Sequence, residues 1–153
     1  MKIPPIEAVI HIQSPIERVW EVFVNENGWD GWFTDGMKME LKPGGRIKFR
    51  WFRKTFGEEV TDNGIIISIK KYQLFEFLWN EFEDGYRSHV TITFIESSMN
   101  GTWVKVTDKV MVLTSEDMEI LLQCAISWGE MLTLAKLWIE KGISLLPDIE
   151  YYK

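Results

Sequence analysis

The sequence predicts an α+β domain with two short helices after the first strand, in which a curved antiparallel sheet of about seven strands closes over one long C-terminal helix. Residues 37–112 largely alternate apolar and polar side chains between turn signals, as successive antiparallel strands do. Residues 115–141 lack proline and repeat apolar side chains at helical spacing. Such a sheet and helix meet closely along only part of their length, which predicts a cavity between them.

Short local patterns predict the first elements. Residues 6–12 alternate in the manner of a strand with one buried face. Ser14-Pro15-Ile16-Glu17 is a helix-start signal, in which we expect Ser14 to cap the helix and Glu17 to complete a capping box. Asn25-Glu26-Asn27-Gly28 ends this helix, and residues 29–33 predict a second short helix or a turn.

Turn signals separate the strands of the middle segment. Pro43-Gly44-Gly45, Asp84-Gly85 and Asn100-Gly101 predict turns. Within a longer strand over residues 58–69, Asp62-Asn63-Gly64 predicts a bulge or bend. Ile65-Ile66-Ile67 breaks the alternation and leaves the register of this strand open.

The last helix has recognisable ends. Thr114 is placed to cap it, with Glu116 and Asp117 in its first turn. Lys141-Gly142 is a stop signal. We therefore expect a single domain over residues 1–153, with a core from 6 to 142 and a short tail from 143 to 153.

Composition and charge exclude several functions. The chain has 23 acidic and 17 basic residues and a net charge of −6, which argues against nucleic acid and an anionic membrane surface as partners. No uninterrupted apolar run approaches about 18 residues, and no signal peptide is recognised. We therefore expect a cytoplasmic protein without a membrane span. Cys124 is the single cysteine, which excludes an intramolecular disulfide.

No catalytic residue, metal site or cofactor is predicted. His11 and His89 fall on the outward faces of predicted strands and Cys124 stands alone, so zinc ligands do not converge. Neither a nucleophile motif nor a glycine-rich phosphate loop is present. Asp108 alternates with the inward-facing Val106, so it points into the cavity unless a bulge or the strand end turns it to solvent.

The candidate ligand-binding residues face the space between sheet and helix. Most are apolar or aromatic, and they would form an ordinary core if no void remained. Trp29 and Trp32 are less clearly buried, which would suit a lid over the pocket or a patch for a partner. The candidates are Trp32, Phe33, Phe49, Trp51, Ile67, Phe77, Trp79, Ile92, Phe94, Val104, Val106, Asp108, Trp128 and Leu132.

Five motifs in order resemble those of one family. They are Ser14-Pro15-Ile16-Glu17-Arg18-Val19-Trp20, Pro43-Gly44-Gly45, the stretch from Gly64 to Trp79, Gly101-Thr102, and Trp128-x3-Leu132-x2-Ala135-x3-Ile139-Glu140-x-Gly142. Over residues 6–142 the chain resembles the family named for the activator of the heat-shock protein 90 ATPase, in the START-like (SRPBCC) superfamily. The resemblance implies a helix-grip fold, a seven-stranded antiparallel sheet closed over a long C-terminal helix. Lys71-Tyr72 replaces the family's Pro-Pro pair, and Ser127 replaces the glycine before Trp128.

Three functions stay open at this point. The aromatic inner face favours a binding protein for a small hydrophobic, aromatic or lipid-like molecule. The resemblance implies a second function, a co-chaperone-like module acting on heat-shock protein 90. We rank it lower, because the eukaryotic activators carry an additional N-terminal domain and we expect this chain to hold one domain. A cyclase-like enzyme ranks third, since no catalytic constellation is visible. We expect a monomer or a homodimer.

Overall fold

Seven antiparallel strands form one sheet, and two helices complete the described fold. The computed structural model describes residues 3–53, 58–82 and 85–146. The helices are α1 (Ile16–Phe23) and α2 (Ser115–Lys141). The sheet order is β1-β7-β6-β5-β4-β3-β2. The strands are β1 (Ile6–Ile12), β2 (Lys38–Met39), β3 (Arg46–Arg53), β4 (Glu58–Lys70), β5 (Leu74–Phe82), β6 (Gly85–Glu96) and β7 (Thr102–Val110). This arrangement confirms the predicted architecture.

One face of the sheet forms the core, as the alternation in the sequence requires. Residues directly opposite each other in an antiparallel pair share a face. Phe77 lies opposite Val90, which in turn lies opposite Asp108, and all three are buried. Asp108 is therefore on the inner face, among apolar neighbours.

The ends of α2 are those that the sequence predicts. Thr114 caps the helix, and its hydroxyl accepts a hydrogen bond from the Asp117 backbone N–H at 3.2 Å. The Asp117 carboxylate accepts one in return from the Thr114 backbone N–H at 3.0 Å, which completes a capping box. Gly142 ends the helix in the left-handed conformation, with φ of 65°.

The fully buried residues of α2 lie in its second half. They begin at Trp128 and continue through Met131, Leu132, Leu134, Ala135 and Ile139. In the first half, Leu121 and Cys124 are half-buried against the core, whereas Leu122 is 58% exposed and Ile126 is 72% exposed. The first half of the helix is therefore less deeply packed than the second.

α2 is also long and apolar enough to cross a membrane by length and composition. An 18-residue window within it has a mean hydropathy of 1.2. We expected no such segment because we considered only uninterrupted apolar runs, and this window is not one. Within the described fold, α2 is the core helix, packed along β1.

Two predictions near α1 were wrong. Ser14 does not cap α1, because Pro15 occupies the N-cap position and no side chain bonds there. Ser14 is buried instead, and its carbonyl accepts a hydrogen bond from the Thr102 hydroxyl at 2.9 Å.

Residues 29–33 form turns and not a second helix. The Asp30 carboxylate fixes these turns by accepting hydrogen bonds from the Thr34 hydroxyl at 2.8 Å and the Met37 N–H at 2.9 Å.

The irregularity of β4 lies further along the strand than predicted. Residues 62–64 pair regularly with β3, whereas the register against β5 shifts between Ile66 and Ser68. Gly64 does not form a bulge but lets the two strands approach closely. A Cβ there would lie 2.7 Å from the Leu78 carbonyl oxygen. The shift leaves Ile67 39% exposed. Asp84 of the predicted Asp84-Gly85 turn lies outside the described residues.

The turn segment after α1 places Trp29 at the centre of the core. Gly28 precedes it with φ of 57°, and a Cβ there would lie 2.3 Å from the Met37 sulfur. The Trp29 indole N–H donates to the Phe23 carbonyl at 3.1 Å, and the residue is 0% exposed. Its ring lies 5.5 to 6.4 Å, centroid to centroid, from those of Phe49, Phe77, Trp79 and Trp128. Trp29 and Trp32 are thus core residues, and the expectation of a lid or partner patch was wrong.

We expect Trp29→Ala to lower the free energy of unfolding by about 3–5 kcal/mol, because it removes the largest side chain from the middle of the core. Urea denaturation followed by circular dichroism measures this loss. Trp103→Ala is the matched control, since Trp103 is 41% exposed on the outer face. It should cost less than about 1 kcal/mol. Equal losses in the two variants would contradict the central position of Trp29.

Candidate functional site

The first half of α2 is attached to the sheet at two points. Near its start, Arg87 Nη1 of β6 lies 2.7 Å from Asp117 Oδ1. At its middle, Trp128 Nε1 donates to Asp108 Oδ2 of β7 at 2.8 Å. These attachments are about 16 Å apart along the helix at 1.5 Å per residue. Between them, α2 spans the end of the sheet.

We call the region between these two attachments the α2 gap. Leu121 and Cys124 border it from the helix, and Trp51, Trp79 and Val110 border it from the sheet; all five are half-buried against the core. Half-buried apolar side chains on both sides of a gap are accessible to a small molecule that enters from solvent.

Three aromatic rings on the sheet side of the gap are nearly parallel. The Phe49 and Trp79 centroids are 4.2 Å apart with an interplanar angle of 4°. The Phe49 and Trp51 rings also meet at 4°, with centroids 5.9 Å apart. Phe33 meets Trp51 edge-on at 6.0 Å. The half-buried rings at this edge provide a flat surface on which a planar apolar ligand can stack.

Asp108 lies at the inner end of the gap. It is 1% exposed, and Trp128 satisfies one of its carboxylate oxygens, Oδ2. The other oxygen, Oδ1, is buried and has no hydrogen-bond partner. Burial raises the pKa of Asp108 above the ordinary aspartate value, and the Trp128 N–H, the Ser88 hydroxyl and the charge of His89 oppose this rise. The Ser88 hydroxyl lowers this pKa as a hydrogen-bond donor close to the carboxylate, although Oδ1 has no partner at hydrogen-bond geometry.

A second carboxylate, Asp62, lies further out on the same face. It is directly opposite Phe49, and it accepts a hydrogen bond from Trp79 Nε1 at 3.4 Å. Burial raises its pKa as well. Burial also raises the pKa of the Cys124 thiol, as do the negative charges of Asp108 and Asp62, while Arg87 lowers it. The α2 gap is therefore aromatic and acidic.

The structure divides the predicted site residues into three groups. Phe33, Trp51, Trp79, Asp108 and Trp128 lie around the gap or at its inner end. Ile67 lies outside it, because the register shift in β4 turns Ile66 inward in its place. The others are buried in the packed interior: Trp32, Phe49, Phe77, Ile92, Phe94, Val104, Val106 and Leu132.

Sequence reasoning missed four residues of the gap. Asp62 was interpreted as part of a bend, although its alternation with Gly64 and Ile66 places it on the inner face. Cys124 was not predicted to border a site, and it is half-buried. Leu121 and Val110 were not among the predicted site residues either. No local signal shows that these side chains stay half-buried between α2 and the sheet.

Neither of two surface concavities coincides with the gap. One, of about 370 Å³, lies among Lys38, Arg46 and Lys48. The other, of about 380 Å³, lies among Glu21, Asp30 and Trp138. Over residues 3–53, 58–82 and 85–146, no group of three His, Cys, Asp or Glu side chains could hold a metal ion.

Comparison with known families gives a match over most of the chain. The family described as Activator of Hsp90 ATPase homolog 1-like protein matches residues 13–137. The chain belongs to this family. Its helix-grip fold, predicted from five motifs, is confirmed. No curated protein gave a significant match.

Solved structures of similar proteins share this fold. The protein SSP2350 from Staphylococcus saprophyticus is 26% identical, with a TM-score of 0.70, and the match covers 92% of this chain and 94% of that one. The Aha1 dimer from Colwellia psychrerythraea is 20% identical, with a TM-score of 0.72 and coverages of 92% and 98%. CalU16 from Micromonospora echinospora is 19% identical, with a TM-score of 0.66 and coverages of 94% and 81%.

The raised pKa of Asp108 predicts a pH-dependent stability difference between the protein and its Asp108→Asn variant. Between the ordinary aspartate pKa and the raised one, the folded state binds more protons than the unfolded state. The free energy of unfolding therefore falls as the pH rises through this window, by at most about 1.4 kcal/mol per pH unit. Above the window, the contribution of Asp108 to this free energy is constant. Asparagine does not titrate, so the variant gains stability relative to the parent protein as the pH rises. Urea denaturation from about pH 4 to pH 8 measures this, and a constant difference would contradict it.

Proposed function

We propose that the protein binds a small hydrophobic molecule, aromatic or lipid-like, in the α2 gap. The observation that carries the proposal is the half-buried aromatic wall of Trp51 and Trp79, which leads inward to a buried carboxylate oxygen without a partner. Apolar walls give binding energy, and a few polar groups at the inner end give orientation. Proteins of this fold commonly bind hydrophobic ligands, which supports the same assignment.

The site lies at the open end of the domain and not at its centre. Trp29 and Phe77 fill the space that a central cavity would occupy, and both are 0% exposed. Val106, which the sequence places near the middle of a void, is also fully buried. The gap under residues 117–128 is therefore the place where a ligand gains apolar contacts without displacing the core.

A fluorescent apolar probe, N-phenyl-1-naphthylamine, tests the proposal. We expect saturable enhancement of its fluorescence and an increase in melting temperature, because binding to the folded state stabilises it by about 2.7 kcal/mol at a hundredfold excess over Kd. Absence of both effects, in a parallel screen of flavonoid-like and fatty-acid-like compounds as well, would overturn the proposal.

A matched pair of helix variants locates the site. Cys124→Trp fills the gap from the helix side, whereas Gln123→Trp adds the same side chain at the neighbouring exposed position. We expect the probe to lose its binding to the Cys124 variant and to bind the Gln123 variant as tightly as the parent protein. Equal binding to all three proteins would place the ligand outside the α2 gap.

A protein-interaction role on heat-shock protein 90 is the second candidate. The outer face of the sheet carries an apolar patch in which Trp103 lies opposite Ile95, with Val9 on β1 nearby. These side chains are 41%, 61% and 57% exposed, and such patches mark surfaces that meet partners.

The ATPase rate of heat-shock protein 90, measured with and without the protein, tests this second candidate. If the outer patch makes the contact, stimulation should occur and should be lost in an Ile95→Ser, Trp103→Ser variant, because both substitutions remove apolar area from the patch. The Cys124→Trp variant should retain it. An unchanged ATPase rate would exclude this role.

A further inference from the structure

The carboxylates of the α2 gap accept hydrogen bonds, and the Ser88 hydroxyl is a donor beside Asp108 that makes no hydrogen bond to Oδ1. The two indole N–H groups at the gap are already used, since Trp128 donates to Asp108 and Trp79 donates to Asp62. Asp108 Oδ1 is a buried acceptor without a donor. An ionised carboxylate accepts hydrogen bonds only, so a ligand that satisfies it must bring the donor.

The charge of the gap is only partly compensated. Arg87 lowers the pKa of the Cys124 thiol and forms an ion pair with Asp117 at the start of α2. His89 acts on Asp108 electrostatically, but its ring bonds Glu76 at 2.6 Å on the outer face. Among the described residues, no cationic side chain bonds either carboxylate of the gap. Buried carboxylates without a positive partner are costly, and a cation that binds there removes that cost.

The walls of the gap favour a positive charge as well. The faces of aromatic rings carry partial negative charge and attract ammonium groups, with tryptophan the strongest of them. Trp51 and Trp79 present half-buried rings at the gap, and Trp128 meets Trp79 edge-on at 5.7 Å. Aromatic faces and carboxylates together form the kind of environment in which organic cations bind.

We propose that the ligand of the α2 gap is a hydrophobic amine, whose aromatic or aliphatic body packs on Trp51 and Trp79 and whose ammonium donates to Asp108 Oδ1. This inference rests on the proposed function and adds the chemical class of the ligand. It also makes binding depend on protonation, because Asp108 must be ionised to hold a cation. His89 of β6 acts on Asp108, and Asp108 acts in turn on Cys124 of α2, which Arg87 of β6 and Asp62 of β4 also influence.

A pair of ligands of equal shape tests the charge requirement. In 1-naphthylmethylamine and 1-naphthylmethanol the same aromatic body carries either an ammonium or a neutral hydroxyl. We expect the amine to bind at least about tenfold more tightly at pH 8, as measured by calorimetry, because both ligands can donate a hydrogen bond to Asp108 but only the ammonium adds the attraction between opposite charges and the cation–π contacts. Its advantage should shrink as the pH falls and Asp108 becomes protonated, whereas binding of the alcohol should change little.

Two aspartate variants separate the role of Asp108 from that of overall charge. Asp108→Asn should bind both ligands equally, and Asp35→Asn, which removes a charge at an exposed position, should retain the preference for the amine. Circular dichroism checks the fold of both variants, and the pH series on the parent protein tests the proposal without any variant. If the parent protein binds the alcohol as tightly as the amine, or if Asp108→Asn retains the preference, this inference is wrong and the proposed function stands. If neither naphthyl ligand nor the apolar probe binds, both are wrong.

Discussion

The ring of Trp29 fills the space between the sheet and α2, and the rest of the interior is arranged around it. It contacts rings from β3, from β5 and from α2, and thereby joins these three elements. Its position depends on a glycine with positive φ before it and on an indole N–H bonded to the end of α1. Because this ring occupies the centre of the fold, any ligand site is displaced to the open end.

Asp108 is the exception to an otherwise apolar inner face. A buried carboxylate with one oxygen unpartnered costs free energy, typically about 1–3 kcal/mol for the missing bond. Its other oxygen holds Trp128 and thereby fixes the point at which α2 leaves the sheet. The same carboxylate thus positions the helix and provides the polar group of the proposed site. Groups of this kind are concentrated at functional sites, which is why we assign ligand binding here.

Two attachments hold the first half of α2 to the sheet. The Arg87–Asp117 pair and the Trp128–Asp108 hydrogen bond mark the two ends of the α2 gap. Leu121 and Cys124 are the side chains that turn inward there, and both remain half-buried. The solved structures under 25% identical share the fold, whereas the aromatic and acidic lining described here belongs to this sequence.

Much of this protein follows from the sequence alone. Alternation determines the strands and places Asp108 on the inner face, because successive side chains of a strand point to opposite sides. Thr114, Asp117 and Gly142 determine the ends of α2, since capping needs only neighbouring residues. Tertiary structure decided the rest: that Trp29 fills the centre, that the register shift turns Ile67 outward, and that the first half of α2 is only half-buried. These features depend on contacts between residues far apart in the chain, for which local patterns carry no signal.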